Sequence, residues 1–419
     1  MKITVISAAE IRIRIASLSP ASEWSFLNAY AGVLGLGERV EQFHAFAPGG
    51  GDLGAKKIAP GEFRSGPGAE TVEYVVKLPP ARASEAGHVS WISGESGFLM
   101  LADLLPKPLP SVMLELSLPS GWNAYSTYEA DPQGRFHVLQ PDKTVFLIGR
   151  GVRKQTKRFD AGPIDCVVDG SWPFKDAIVL NAAMKVLKNY IALTRFPLRA
   201  KPTVMLASLP AGAGSVKWRA ETRGSTVVLL IDPQAKIQNW AGELGIIFTH
   251  ELLHLWVPNS LLLEGDYDWF FEGFTLYTAL VTALELKFIN FNEYVATIAR
   301  VYDSYLSRPD DLSLIDASER RWTSGGPTVY DKGMLVAFVY DLALARESAG
   351  KMRLADRYRQ LFQRWATQPA NANEVIIQLL SSTAAGADLT KRYIEGRQEL
   401  DIKQTLADRN QLSKSLGYR

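Results

Sequence analysis

Residues 249–254 read Thr-His-Glu-Leu-Leu-His, and this stretch carries the most specific structural signal in the chain. On a helix, positions four residues apart lie on one face, so the imidazoles of His250 and His254 can reach the same metal ion. Glu251 follows the first histidine and can polarise a metal-bound water without binding the metal itself. Apolar residues typical of a buried helix surround the motif, namely Leu244, Ile247, Phe248, Leu252 and Leu255. Pro258 predicts the end of this helix.

A third metal ligand is expected, because a catalytic zinc ion normally takes three protein ligands and leaves one position for water. Glu272 is the strongest candidate, since it lies in the apolar stretch Trp269–Thr275, where an unpaired carboxylate would be costly. Glu264 and Asp266 are rival candidates, but acidic residues beside Gly265 are typical of solvated turns. The alternative to the whole site is a helix whose two histidines are ordinary core or surface residues.

The first part of the chain, residues 1–170, has the pattern of an N-terminal antiparallel β domain. Short segments rich in branched residues are separated there by Gly/Pro clusters. These segments are Ile11–Ala16, Thr71–Leu78, Val89–Ile92 and Thr144–Ile148.

Residues 171–300 are predicted to form an α/β catalytic domain that carries the zinc site. A helical pattern covers Phe174–Leu193, and strand-like runs follow at Thr203–Ser208 and Ser225–Ile231. After Gln234 the periodicity is mostly helical, with amphipathic segments around 239–257, 269–286, 330–346 and 352–366. Residues 301–419 are therefore expected to form a helical C-terminal region, and the fold class is multidomain α+β.

Composition and charge exclude several classes of function. The 419 residues carry a formal net charge of +2 with no dense Lys/Arg tract, so we expect neither a nucleic-acid partner nor a membrane partner. The single cysteine, Cys166, excludes an intramolecular disulfide and a Cys-rich zinc site, and is expected to be a small buried residue. The sequence has no stretch of transmembrane length and no signal-peptide core at its start. A cytoplasmic protein is the expectation, although a removed leader would leave the same sequence.

Together the motifs resemble those of the gluzincin peptidases. The segment HELLH at 250–254, followed by WFFEGFT at 269–275, is similar to their HExxH and W-x-x-E-G-F/L-A/T segments. Tyr330-Asp331-Lys332-Gly333 resembles the Y-x-K-G segment of the aminopeptidase N group. The continuation over 333–362 is similar to the bacterial glycyl aminopeptidase family, and so is the closing segment Asp388–Leu412.

This resemblance implies a thermolysin-like catalytic domain that holds one zinc ion through His250, His254 and Glu272. It also implies that the hydroxyl group of Tyr330 stabilises the tetrahedral intermediate.

A further segment of the glycyl aminopeptidases is matched in part by Glu221-Thr222-Arg223-Gly224-Ser225-Thr226, which resembles E-H-R-N-S-T. In related aminopeptidases the glutamate of this segment binds the free α-amine of the substrate, which makes Glu221 the corresponding residue. The family has two glycines before this segment, where the present chain has Trp218 and Arg219.

The expected function is hydrolysis of a peptide substrate by metal-activated water, with Glu251 moving the proton. The resemblance implies an aminopeptidase that acts on small N-terminal residues such as glycine. A zinc endopeptidase of the same fold is an alternative, and so is a non-catalytic peptide-binding protein built on a peptidase scaffold. The sequence does not determine the oligomeric state.

Overall fold

The structure is a computed structural model, and it describes residues 1–16, 18–80, 82–210, 216–234, 242–308 and 311–402. Two compact units contain these residues. The first unit comprises 1–180 and 201–235, and the second comprises 181–200 and 236–419. The division into 1–170, 171–300 and 301–419 stays a prediction.

The first unit is built almost entirely from strands, as the branched and alternating segments predict. In β2, for example, the isoleucines of Glu10–Ile15 are buried and the arginines between them are exposed, which is the period-two pattern of a strand with one face on a core. The strands before the first long helix are β1 Lys2–Ser7, β2 Glu10–Ile15, β3 Ala21–Phe26, β4 Ala29–Tyr30, β5 Val33–Leu34, β6 Val40–Phe46, β7 Lys56–Ala59, β8 Glu62–Ala69, β9 Thr71–Lys77, β10 Trp91–Ser93, β11 Ser96–Met100, β12 Pro106–Lys107, β13 Val112–Ser117, β14 Asn123–Tyr125, β15 Arg135–Val138, β16 Val145–Gly149, β17 Arg153–Phe159 and β18 Gly162–Val168.

Most of these strands form three sheets. A six-stranded sheet has the order β15-β13-β1-β2-β9-β6, and two four-stranded sheets have the orders β10-β11-β16-β14 and β12-β3-β8-β7. The pairing is antiparallel except between β1 and β13, which run parallel with Lys2 opposite Glu115. The expectation of a purely antiparallel domain therefore misses one long-range pairing.

A five-stranded mixed sheet completes the first unit. Helix α1, Asp176–Thr194, connects β18 to β19, Thr203–Ser208, as the crossover between two parallel strands requires. The sheet has the order β17-β18-β19-β21-β20, with β21 at Thr226–Ile231 and the edge strand β20 at Trp218–Arg223. Every residue of β21 is buried, and Cys166 in β18 is also fully buried, which raises the pKa of its thiol to about 12.

The second unit is mainly helical, as the periodicity after Gln234 predicts. Turns of the wider π type precede or follow several helices, at Trp269–Phe274, Arg321–Gly325 and Thr390–Ile394. The helices and short strands are α2 Glu243–Leu253, β22 Leu263–Glu264, α3 Thr275–Glu285, α4 Phe291–Ser307, α5 Leu314–Glu319, α6 Gly326–Glu347, α7 Leu354–Trp365, β23 Ala370–Asn371, α8 Ala372–Leu380 and α9 Ala384–Leu389.

The predicted multidomain α+β fold is confirmed by this combination of sheets and helices. The first residues of the segment predicted at 239–257, and the end of the segment Asp388–Leu412, lie outside the described residues. Within the described part of the chain, no helix is both long enough and apolar enough to cross a membrane.

Two glycines allow α6 to pack directly on the backbone of the turn Trp269–Phe274. A methyl group on Gly273 would lie 2.6 Å from the Cα and carbonyl carbon of Gly333 and 2.7 Å from the carbonyl oxygen of Val329. Backbone atoms at such distances cannot rotate away as a flexible side chain could. The close approach of these two elements therefore requires glycine.

We expect Gly273→Ala to destabilise the protein. In a helix, alanine is more stable than glycine by about 1 kcal/mol. Overpacking a rigid site costs about 1–3 kcal/mol, and the methyl group here would clash with backbone atoms. The free energy of unfolding should therefore fall, as measured by urea denaturation. Gly51→Ala is the matched control, because its methyl group would meet no atom within 4 Å. Equal stability of Gly273→Ala and the wild type would contradict the packing argument.

Candidate metal centre

Helix α2 places the two histidines of the motif on one buried face. His250 lies in the last turn of α2, and His254 follows its final residue with helical backbone angles, so the spacing of one turn is kept. The side chains are 6% and 9% exposed. Their Nε2 atoms are 3.1 Å apart and therefore face the same point.

Glu272 approaches this point from the turn Trp269–Phe274. Its Oε2 lies 3.2 Å from Nε2 of His250 and 3.5 Å from Nε2 of His254. These three residues form the one cluster of potential metal ligands that the described residues contain. The rival candidates Glu264 and Asp266 are exposed and take no part in it.

The Nδ1 atom of each imidazole has a hydrogen-bond partner on the side of the ring away from the site, so the Nε2 atoms are directed into the site. Nδ1 of His254 lies 2.8 Å from the carbonyl oxygen of Val257, which can only accept, so this nitrogen carries a proton and donates. Nδ1 of His250 faces the hydroxyl oxygen of Thr275 at 3.4 Å. The Thr275 hydroxyl itself donates to a backbone carbonyl of the preceding turn. Such outer contacts fix ring orientation in metal sites.

The charges of the cluster depend strongly on one another. Burial disfavours a charged imidazole, but the carboxylates of Glu272 and Glu251 outweigh burial and raise the pKa of His254 to about 9. Burial also disfavours the carboxylate of Glu272, yet His254 and His250 hold its pKa well below its usual range. The negative charge of Glu272 and a positive charge on His254 therefore favour each other.

The donor set suits zinc. Two imidazole nitrogens and one carboxylate oxygen that face a common point are the ligands of many catalytic zinc sites, which keep a fourth position open. A divalent cation would also replace the positive charge that His254 otherwise supplies to Glu272. The residues present therefore fit a zinc ion.

Glu251 acts electrostatically on His254 in this cluster, and Tyr330 is itself affected by the charge of Glu272. The side chain of Glu251 is buried, and its charge raises the pKa of His254 and of Tyr330. Tyr330 lies in α6, beside the close contact of that helix with the turn that carries Glu272. Burial, followed by the charge of Glu272, raises the pKa of Tyr330 well above its usual value, so its hydroxyl stays protonated.

Arg321 was not identified from the sequence. Its Nη2 donates to Oε1 of Glu272 over 2.7 Å and to the hydroxyl oxygen of Tyr330 over 2.8 Å. Its Nη1 donates to a carboxylate oxygen of Asp268. In the sequence Arg321 follows another arginine, Arg320, and no spacing rule distinguishes the two.

Glu221 lies in the first unit, on the edge strand β20. Its side chain is 11% exposed, although Glu221 lies on an edge strand. Oε1 accepts hydrogen bonds from Tyr30 and from Nε of Arg223, each 2.7 Å long, and Oε2 lies against Nδ1 of His88. Burial opposes ionisation of Glu221, but Arg223 and His88 outweigh it and lower its pKa.

Comparison with solved structures shows a shared fold. An aminopeptidase N family protein from Idiomarina loihiensis is similar with a TM-score of 0.82 and 18% identity, over 97% of this chain and 77% of that protein. An M1 zinc metallopeptidase from Deinococcus radiodurans is similar with a TM-score of 0.62 and 13% identity, over 96% of this chain and 94% of that protein. A mutant of the Deinococcus protein bound to a Tyr-Ser-Ala substrate gives a TM-score of 0.58 at 12% identity, with the same coverage.

No family model and no curated protein sequence matches the chain. The resemblance to gluzincin aminopeptidases that the motifs predict is confirmed at the level of the fold. Because the sequence identities are below 20%, the comparison shows a shared fold and nothing more.

We expect zinc binding to depend on pH because of the proton on His254. Below its pKa of about 9 this imidazole is mostly protonated, so zinc must displace the proton. At pH 7 zinc uptake should release about one proton from His254, and affinity should rise with pH until about pH 9. Chelator competition across this range, with a pH indicator in weak buffer, measures both quantities. His137→Ala, which removes an exposed histidine, is the control. Zinc affinity that stays constant from pH 6 to pH 9 would contradict the assignment.

Proposed function

We propose that this chain is a zinc-dependent peptidase that hydrolyses peptide bonds with water. The observation that carries the proposal is the convergence of His250, His254 and Glu272 on one buried point. Glu251 belongs to the same helix as the histidines, and its charge acts on that point. The shared fold with solved zinc metallopeptidases supports the same conclusion.

His250, His254 and Glu272 would hold the ion. A bound zinc ion supplies Lewis acidity, which makes water a stronger nucleophile and polarises the carbonyl group that is attacked. Glu251 cannot point at the metal as its neighbour His250 does, because adjacent helical residues lie about 100° apart around the axis. Its carboxylate is therefore suited to accept the proton of the attacking water and to pass it to the leaving amine.

Tyr330 would stabilise the negative charge that develops on the carbonyl oxygen. A hydroxyl must be protonated to donate a hydrogen bond, and the raised pKa of Tyr330 keeps it so at neutral pH. Its partly buried position also strengthens the interaction, because the field of a donor is screened less away from bulk water. Asp331 and Lys332 next to it have other partners: Ser304 donates to Asp331, and Lys332 donates to the carbonyl oxygen of Leu312.

The role of Glu251 is tested by Glu251→Gln. The amide keeps the size of the side chain but accepts no proton, so turnover should fall by about 10²–10⁴-fold, while zinc content stays at one ion per chain. Peptide hydrolysis and elemental analysis of the same preparations measure the two effects. Glu243→Gln is the matched control, because this exposed residue lies two helical turns earlier in α2.

Two results would contradict the assignment. Undiminished hydrolysis by Glu251→Gln would remove Glu251 from the mechanism. A wild-type protein that contains no metal even after zinc is added would instead favour a non-catalytic peptide-binding protein.

We further propose that the protein is an aminopeptidase and that Glu221 binds the free amine of the substrate. A carboxylate with a lowered pKa is negatively charged at neutral pH, as the binding of an ammonium group requires. Within the described residues Oε1 of Glu221 accepts two hydrogen bonds and Oε2 one, and each carboxylate oxygen can accept two. The fold neighbour from Idiomarina is described as an aminopeptidase N family protein. A preference for small N-terminal residues stays a prediction from the sequence.

A peptide panel with free and N-acetylated termini tests this proposal. Free peptides should be cleaved and acetylated ones should not, because acetylation removes the positive charge that Glu221 would bind. Glu221→Gln should raise KM for free peptides by about 10-fold or more, since a hydrogen bond to a charged group contributes about 1.5–3 kcal/mol. Thermal unfolding controls for folding, and Glu95→Gln, on an exposed glutamate, controls for the substitution. Equal cleavage of blocked and free peptides would indicate an endopeptidase.

A further inference from the structure

Arg321 is a largely buried cation that contacts both a proposed metal ligand and the proposed oxyanion donor. Its side chain is 12% exposed, and no role is assigned to it by the metal-ligand motifs. One nitrogen, Nη2, donates to Glu272 and to Tyr330, and the other terminal nitrogen donates to Asp268. A terminal guanidinium nitrogen carries two hydrogens, so Nη2 can satisfy both acceptors at once.

The two oxygens of Glu272 have different partners. Oε2 faces the histidines, and Oε1 accepts the hydrogen bond from Arg321. A carboxylate held in this way offers one oxygen to a cation between the imidazoles and keeps the other engaged. Arg321 therefore keeps Oε1 of Glu272 hydrogen-bonded, while Oε2 stays directed towards the histidines.

The same guanidinium determines the direction of the Tyr330 hydroxyl. Because Nη2 of Arg321 can only donate, the phenolic oxygen of Tyr330 must accept this hydrogen bond. The hydroxyl hydrogen then points away from the guanidinium and remains available to another acceptor. A cation on the oxygen also makes the hydroxyl a better donor, since it withdraws electron density from the O–H bond.

Packing and charge fix the orientation of the guanidinium. Its central carbon lies 4.4 Å from the ring centre of Trp322 and 5.5 Å from that of Phe271, within the range of cation–π contacts. Asp268 anchors the end of the guanidinium that does not contact Glu272. The two aromatic rings and the carboxylate of Asp268 together restrict the orientation of the guanidinium plane.

The backbone before α6 is shaped to bring Arg321 and Tyr330 together. Nine residues correspond to about two and a half turns of a regular α-helix, which would place them on opposite faces. The wide turn Arg321–Gly325 interrupts that regularity. Gly325 is required there, because a methyl group would lie 2.1 Å from the carbonyl oxygen of Ala317.

We propose that Arg321 is a positioning residue for the hydrolysis proposed above, on which this inference rests. It holds Glu272 with a single oxygen towards the metal, and it directs the hydroxyl hydrogen of Tyr330 towards the substrate carbonyl. Metal geometry and oxyanion stabilisation are therefore linked through one side chain.

The proposal is tested with Arg321→Met and Arg321→Lys in the full chain, with Arg320→Met as the matched control on an exposed neighbour. Arg321→Met should raise the Kd for zinc by about 10–100-fold, as loss of an outer contact to a metal ligand does. Its kcat should fall by about 10²-fold through misplacement of Tyr330, with little change in KM. With Co²⁺ in place of zinc, the visible absorption bands should shift in Arg321→Met and not in Arg320→Met, because they report ligand geometry.

Arg321→Lys keeps the charge but lacks the planar fork. It should fold and bind zinc, yet lose at least about 10-fold in kcat, because one ammonium cannot reproduce all three contacts. This variant decides the question if Arg321→Met does not fold. The double variant Arg321→Met with Tyr330→Phe should lose little more activity than Tyr330→Phe alone, since both act through the same hydroxyl.

Wild-type kcat in Arg321→Lys would overturn the role in positioning Tyr330, and so would full additivity in the double variant. An unchanged cobalt spectrum and zinc Kd in a folded Arg321→Met would overturn the role at Glu272. A wild-type protein that binds both metals but cleaves no peptide would contradict the proposed function, and the cobalt spectrum would still decide whether Arg321 orients Glu272.

Discussion

The backbone contact between Gly273 and Gly333 sets the distance between two of the elements that carry the site in the second unit, the turn Trp269–Phe274 and α6. Glu272 immediately precedes the first glycine, and Tyr330 lies one helical turn before the second. Any side chain at Gly273 would push the turn Trp269–Phe274 away from α6. Arg321 can bridge Glu272 and Tyr330 because its two acceptors are held this close to each other.

Charge balance explains how such an acidic cluster can be buried. A carboxylate removed from water is costly unless it is paired and hydrogen-bonded, and Glu272 is paired on both sides. Arg321 faces one oxygen of Glu272, and the histidines face the other. The proton on His254 occupies the electrostatic role that a zinc ion would take over. The hydrogen bond from Arg321 and the contacts with the histidines thus orient the carboxylate of Glu272 within a donor set that fits a divalent cation.

The parts of this structure that could be predicted from sequence are those with a local pattern. The spacing of His250 and His254 predicts the helix that carries them, and the apolar stretch around Glu272 favours it over Glu264 and Asp266, because a carboxylate in such a stretch needs a partner. The alternating residues of β2 likewise predict a half-buried strand. The parallel pairing of β1 with β13 has no such signal, because more than a hundred residues separate the partners and neither strand encodes the direction of the other.

For the same reason, the sequence does not predict contacts between polar side chains that are far apart in the chain. Glu221 forms its hydrogen bonds with Tyr30 and His88, which lie far away in the chain, whereas the sequence of its own strand indicates nothing more than an edge position.

Arg321 is a different case, since its partner Tyr330 is only nine residues away. A continuous regular α-helix from Arg321 to Tyr330 would place the two residues on opposite faces, and the wide turn Arg321–Gly325 interrupts that regularity. An irregular turn whose glycine cannot be replaced without a clash is costly to build. The contact that it creates, between a guanidinium, a buried carboxylate and a tyrosine hydroxyl, supplies a physical reason for the irregularity.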